Sequence, residues 1–359
     1  MSEQTKIAVL VINCLQGGGA ERSVLTLGQG FYELGYEVHI VRFKPLVEYD
    51  LNPNLNYHLI RFKPYKLVFN EKLRHIIFAK KVDKYILEKI GTPDIVLSNL
   101  RHPDVIMSYS KLPNIANINH NTISLQYDVN GNENVKKQLI ETYSKHPCVN
   151  VSDGVKDDFV NSLGEITPTI TIKNPIDRSE IQKLADEFVP EYKNYIIHVG
   201  SFKEVKRHDI LLKAYAKTDK SMPLLLLGQG KREDEINKLI HDLGLSNNVF
   251  LLGFKKNVYP YIKHAKFKVL TSSREGLPMV ISEALAVGTP VISTDCQSGP
   301  REMLPEHNLM PVNDIDAISK KISEAMQNPS QFSSAFDTSL LPIEIAKKHI
   351  SFIESNMDR

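Results

Sequence analysis

Two glutamates eight residues apart, Glu275 and Glu283, stand in the segment SREGLPMVISEALAVGTP at 273–290. The apolar run FKVL before it reads as a buried strand. Pro278 suits a first helical turn, where its missing N–H is not needed, and Gly288 suits the position just past a helix C-terminus. Glu275 and Gly276 then fall in the loop at the carboxyl end of a strand, where open α/β sheets bind ligands. Glu283 follows about one and a half turns into the helix. Gly276 lets backbone approach a ligand closely, and the N–H groups of a first helical turn have no partner within the helix. A carboxylate beside such donors suits a hydroxyl-rich ligand that also carries phosphate. The plainer alternative is one carboxylate against the helix dipole and the other on a solvated face.

A second cluster, GSFKEVKRHD at 200–209, follows the apolar run YIIHV. Lys203, Lys206 and Arg207 lie just before an expected helix start, where they could neutralise a diphosphate; lysine supplies a compact point charge. Taken alone they are equally well read as solvated loop charges. A third feature is the glycine turn Gly17-Gly18-Gly19 at the end of the first apolar run. Arg22 stands where the third glycine of G-x-G-x-x-G would be, and no G-x-x-x-x-G-K-[ST] occurs, so a dinucleotide fold or P-loop NTPase is poorly supported.

The elements that must position these residues alternate short apolar runs with amphipathic stretches, the pattern of βαβ units on parallel sheets. Strands are expected at 7–12, 37–43, 94–98, 114–118 and 147–151. A second series begins near 195: YIIHVG, PLLLLGQG, NVFLLGF, AKFKVLTSS and TPVIST are its strands, with helices from about His208, at 232–243 and over PMVISEALAVG. The chain has 359 residues, too many for one ordinary core. Two α/β domains are therefore expected, 1–172 and 173–340, followed by a helix at 341–359. That helix either closes the second domain or crosses back to the first.

Several of these segments carry a family resemblance. EGLPMVISE matches the E-x7-E motif of the GT4 family of retaining glycosyltransferases. GGGAER (17–22), VSDGVKDDF (151–159), NPID (174–177), HVGSFKEVKRHD (198–209), LLGQG (226–230), LLGFKKNV (251–258), EALAVGTPVISTD (283–295) and SGPREML (298–304) resemble that family in the same order. The resemblance implies a GT-B fold, two Rossmann-like doubly wound domains facing each other across a cleft, with a nucleotide-sugar donor held mainly by the second. By matched position, Glu283 binds ribose hydroxyls, while Glu275 with the backbone of Gly276, Leu277 and Pro278 holds the donor sugar. Lys206 meets the diphosphate, and Gly253, Phe254 and Asn257 border the base. Gly18 and Gly19 approach the donor from the other domain. His120, in NINHNTIS, matches a histidine that often touches the donor sugar, with Asn119 and Asn121 as weaker candidates. The family often has an arginine directly after the glycine of G-R-x-x-x-x-K. Here that position is Ser201, which leaves the diphosphate to Lys206 with Arg207 or Lys203.

The same resemblance implies a metal-independent reaction without a resident cofactor, the nucleotide-sugar, read as a UDP-sugar, being a substrate. It makes a hexosyl or N-acetylhexosaminyl transfer to a lipid-linked glycan or lipooligosaccharide acceptor the leading reading. A nucleotide-sugar epimerase or phosphorylase on the same fold, and a non-catalytic sugar-binding protein, are the alternatives.

Charge adds a further expectation. The whole chain carries a formal +2, which argues against a nucleic-acid partner, yet residues 61–90 hold nine Lys/Arg against three acids. That segment is +6 and the rest of the chain −4. With Leu73, Ile76, Ile77, Tyr85, Ile86 and Leu87 interspersed, it reads as a basic amphipathic helix suited to an anionic membrane surface. The other reading is a helix packed on its own domain's sheet. Cys14, Cys148 and Cys296 are too few and too widely spaced for a disulfide framework or zinc site. Six consecutive apolar residues near the start are too few for a signal segment, so a cytoplasmic protein is expected, touching the inner face of the membrane through 61–90.

Overall fold

Runs such as IAVLVI and LLLL are apolar on consecutive residues, and strands of that kind need cover on both faces. The computed structural model, which describes residues 5–62 and 67–357, gives them that cover in two α/β units. The first contains β1 (Ile7–Ile12), β2 (Glu37–Arg42), β3 (Asn56–Leu59), β4 (Ile95–Asn99), β5 (Ile115–Asn119), β6 (Cys148–Asn150) and β7 (Thr169–Thr171). Its sheet runs β3-β2-β1-β4-β5-β6-β7, every pair parallel. The second contains β8 (Ile196–Val199), β9 (Leu224–Leu227), β10 (Val249–Gly253), β11 (Phe267–Leu270), β12 (Val291–Thr294) and β13 (Leu309–Met310). Its order is β10-β9-β8-β11-β12-β13, again all parallel. In both sheets the winding reverses beside the first strand, β1/β4 and β8/β11, which is where such sheets open a crevice at the strands' carboxyl ends.

The first unit comprises the chain up to Ile176 together with the segment from Ser339, and the second spans Asp177–Thr338. The final helix, Pro342–Glu354, packs on the helix Gly19–Glu33, burying Ile345, Ala346, His349, Phe352 and Ile353. Gly30 makes the approach possible: a Cβ there would overlap the Pro342 carbonyl.

The basic segment forms the helix Glu71–Lys89, started by Asn70, whose side chain accepts from Leu73 N at 2.9 Å. His75, Phe78, Ala79, Val82 and Ile86 face inward, at spacings of three and four, and pack with Phe43, Phe62 and Val96. Ile86, grouped by sequence with the surface set, therefore belongs to the core. Leu73, Ile77 and Leu87 remain exposed beside Lys80, Lys81 and Lys84. Lys63 and Lys66 lie outside the described residues, of which no helix is long and apolar enough to cross a membrane.

Candidate active site

In the second unit the loops leaving β8, β9 and β11 are stitched together by backbone, and the loop leaving β12 joins them through Ser298 Oγ. Gly200 N donates to Leu227 O at 2.9 Å and Phe202 N to Gln229 O at 2.9 Å. Gly228 and Gly230 lie so close to the Gly200 and Phe202 carbonyls that a Cβ at either would overlap them. The sequence LLGQG therefore serves as a bed for the loop carrying the lysines. A short 3₁₀ turn, Glu204–Lys206, and Arg207 at φ 51° lead into the helix His208–Ala216. Ser273 N donates to Val205 O at 2.8 Å and Thr271 Oγ1 to Lys206 O at 3.1 Å, which pins this turn to the loop after β11.

That stitching brings Lys206 and Glu275, 69 residues apart, into a direct ion pair with Nζ 2.6 Å from Oε1. Their side chains are only 18% and 12% exposed, so the pair is shielded far better than a surface salt bridge. Arg207 is committed elsewhere: its guanidinium grips Asp209 through two contacts of 3.0 Å and also donates to Asn313. Lys203 is exposed and Ser201 partly buried. Of the basic residues in this cluster, Lys206 is the one held against the glutamate.

Glu275 sits on a supported loop. Ser298 Oγ donates to Glu275 O at 2.6 Å, and Gly299, at φ 92°, presses on the turn so tightly that a Cβ there would overlap Pro278 and come 3.0 Å from Gly276 O. Pro278 caps the helix Met279–Ala286, and Leu277 is buried. Gly299→Ala combines an unfavourable φ with this overlap, at a cost of about 1–3 kcal/mol. We expect it to shift the glutamate loop, lowering the catalysed rate at least tenfold with a reduced melting temperature; wild-type rates from the folded variant would overturn that support role.

Glu283, on the same helix, is 4% exposed and accepts from Tyr259 Oη at 3.4 Å. Behind Lys206 lie two buried histidines, His198 and His208, with ring centroids 4.5 Å apart. Burial, and then the Lys206 and Arg232 charges, push His208 down to about 4, so it is neutral at pH 7. Burial and the His208, Lys268 and Lys206 charges lower His198 as well. At the end of β10, Gly253 adopts φ 67°, and Phe254, which follows, is 52% exposed. Asn257 directs its amide away from open space: Nδ2 donates to Leu184 O and Glu187 Oε2, both at 2.8 Å, and Oδ1 accepts from Tyr259 N. It shapes the loop that presents Phe254.

Gly18, Gly19 and His120 belong to the first unit. Gly18 caps the helix Gly19–Glu33, and its carbonyl accepts from Tyr49 Oη at 2.8 Å. His120, at the end of β5, places Nε2 3.0 Å from Asn99 Oδ1, and burial pulls it to about 4. Sequence reasoning missed Tyr259, Ser298, Gly299 and Lys268 as parts of this architecture. Ser298 and Gly299 lay in the quoted segment SGPREML without being assigned a role, and Lys268 carried a signal of its own, a charge in the middle of the strand FKVL.

Comparison with known proteins agrees with this layout. Residues 180–338 match the family model described as glycosyl transferases group 1. A 152-residue stretch is 36% identical to an uncharacterized glycosyltransferase of Methanocaldococcus jannaschii, covering 39% of this chain and 37% of that protein. The N-acetylgalactosamine-N,N'-diacetylbacillosaminyl-diphospho-undecaprenol 4-alpha-N-acetylgalactosaminyltransferase of Campylobacter jejuni is 31% identical over 304 residues, 82% of each chain. Among solved structures, HepE from Anabaena, crystallised with UDP and glucose, superposes with a TM-score of 0.71 at 17% identity over 98% of both chains. The two parallel sheets are thus those of the GT-B fold. With a matching relative along four-fifths of its length and the paired Lys206 and Glu275 in the matched region, the chain belongs to the group 1 glycosyl transferases.

Proposed function

We propose that the enzyme moves a hexose or N-acetylhexosamine from a UDP-sugar to a lipid-linked glycan or lipooligosaccharide acceptor, with retention at the anomeric carbon and without a metal. The observation that carries this reading is the shielded Lys206–Glu275 pair at the carboxyl ends of β8 and β11. The UDP bound to HepE and the diphospho-undecaprenol acceptor named for the Campylobacter relative support the choice of donor and acceptor.

The chemistry follows from the side chains. Lys206 offers its ammonium to the diphosphate as negative charge grows on the leaving oxygen, and Glu275, relieved of its partner, accepts from donor-sugar hydroxyls. Glu283 accepts from the ribose, with the backbone of Gly276, Leu277 and Pro278 beside the sugar. In the first unit, Gly18, Gly19 and His120 are proposed as substrate contacts, His120 in its neutral form. The acceptor oxygen forms its bond to the anomeric carbon on the face from which the phosphate oxygen departs. The acceptor's proton passes to that departing phosphate, so no protein nucleophile is required. A thermal-shift screen of UDP- and GDP-sugars is the test: UDP-sugars should raise the melting temperature, and free UDP should appear only when acceptor is added. Protection by GDP-sugars alone, or UDP release without acceptor, would overturn the assignment.

The exposed face of the helix Glu71–Lys89, with Leu73, Ile77 and Leu87 beside Lys80, Lys81 and Lys84, fits an anionic bilayer surface, where such an acceptor would reside. Each lysine at the surface is worth about 1 kcal/mol. Reversing Lys80, Lys81 and Lys84 to glutamate should therefore weaken binding to anionic liposomes roughly a hundredfold; unchanged sedimentation with liposomes would sink the membrane reading.

A further inference from the structure

Asn99 is the last residue of β4, which lies between β1 and β5 in the first sheet, and its side chain is buried. The residue after it, Leu100, takes φ 72°, a left-handed backbone that leucine adopts only where its surroundings impose it. That turn ends the strand and leaves the Asn99 amide with backbone on one side and a ring on the other. Nδ2 lies 3.3 Å from Val11 O on β1 and 3.1 Å from Leu97 O, while Oδ1 lies 3.0 Å from Nε2 of His120. Backbone carbonyls only accept, so both amide hydrogens are committed to them and the oxygen is the atom that meets the imidazole.

The polarity of the ring follows. An amide oxygen has no hydrogen to give, so Nε2 of His120 carries one and donates it. Burial pulls His120 down to about 4, so at neutral pH the ring holds that one hydrogen and Nδ1 keeps a bare lone pair. Nδ1 is shielded from water and has no hydrogen-bond partner among the described residues. His349, the neighbouring titratable ring on the final helix, does not supply one: burial pulls it down to about 3, and its own Nδ1 is equally without a partner among those residues. A buried acceptor with no donor is costly, and an apolar ring would fill the place without that cost. What the nitrogen lacks is a donor, and a substrate hydroxyl is one.

We propose that Asn99 is a positioning residue for the transfer: it locks His120 as the Nε2–H tautomer, so that the ring meets the substrate only as an acceptor, taking a hydrogen bond from a sugar hydroxyl on Nδ1. This rests on the reading of His120 as a substrate contact, and it sets the polarity of that contact. A carbonyl, ether or phosphate oxygen without a hydrogen is excluded as the partner of Nδ1, and a hydroxyl is selected. The ring gains no charge and exchanges no proton, so it orients the sugar rather than acting as acid or base.

The test is a long-range proton–nitrogen NMR spectrum, at neutral pH, of the full chain carrying isotopic nitrogen in its histidines, with the His120 signals identified by their loss in H120A. Wild type should show an unprotonated, pyridine-type Nδ1 and a protonated, pyrrole-type Nε2. The reverse pattern overturns the proposal, whether or not any variant folds. In N99A both signals should move to intermediate positions as the two tautomers mix; an unchanged pattern in the folded variant makes Asn99 a packing residue and overturns the proposal too. Titration with UDP, UDP-glucose and UDP-N-acetylgalactosamine reads the second layer. A sugar nucleotide that binds should shift Nδ1 toward the pyrrole side, and UDP should not. N99A should lose several-fold in affinity for that sugar nucleotide and none for UDP. If H120A binds it as wild type does, the substrate reading of His120 and this inference fall together. If H120A binds it more weakly while N99A binds as wild type, only the role of Asn99 falls.

Discussion

Glu275→Gln is expected to lower the turnover of glycosyl transfer by two to three orders of magnitude while leaving UDP affinity within a few-fold of wild type. Glutamine keeps the shape of the side chain but removes the charge that Lys206 meets at 2.6 Å. On the proposed mechanism, that pairing neutralises an ammonium in a poorly solvated place until a donor binds, when the diphosphate would take over the ammonium and release the carboxylate toward the sugar. The nucleotide would then gain nothing from Glu275 directly, so its binding should survive. The sugar loses an ionised acceptor in the transition state, where a single well-placed electrostatic group is worth a factor of 10² to 10³ on the order of magnitude. Single-turnover measurements on the folded variant check this, and a rate within tenfold of wild type would remove Glu275 from the machinery.

A second large effect concerns acid. His208 is pushed down to about 4 and His349 to about 3, chiefly by burial, and His198 is lowered too. Each has a folded value below its unfolded one near 6.5, so the unfolded chain takes up protons first as the pH falls. Stability is then lost from about pH 6.5 down to the folded values. Asp104 works in the other direction. Buried, and hydrogen-bonded to Ser98 and Tyr143, it is raised to about 7, mainly by desolvation. The folded chain keeps its proton where the unfolded chain has released it, so this carboxyl adds stability as the pH falls from 7 to about 4. Near pH 5 four histidines, since His120 is likewise pulled to about 4 by burial, oppose one aspartate, a net difference of about three protons, or about 4 kcal/mol per pH unit. Urea unfolding at pH 5.0, 5.5 and 6.0 should show that slope, and His349→Phe should reduce it by about one proton. A midpoint constant across this range would contradict the burial of these rings as neutral species.

How much of this was legible depended on how local the signal was. The apolar runs of β1, β8, β9, β11 and β12 announce themselves because a parallel strand buried on both faces admits few polar residues, such as His198 and Lys268. NYHL, TIT and LM, which form β3, β7 and β13, escaped because edge and short strands need no such run. In the site, the positions of Glu275 and Glu283 could be read from Pro278 and Gly288, but the partner of Glu275 lies 69 residues away and only the sheet brings it near. Arg207 looked as available for phosphate as Lys206; a left-handed backbone and Asp209 two residues on turn it aside. The basic helix showed its charge plainly, while its inward face depended on the five positions that meet the sheet.

The packing of Pro342–Glu354 against the helix Gly19–Glu33 has a consequence for synthesis. The first unit is interrupted by the whole of the second, so its opening residues leave the ribosome long before the helix that covers them exists. Until residue 354 emerges, the face around Gly30 waits uncovered, and the second unit is free to fold ahead of the first. A truncation after Thr338 would thus leave the second unit's sequence whole and wound the first, inverting the usual expectation that losing the end of a chain harms the domain nearest that end.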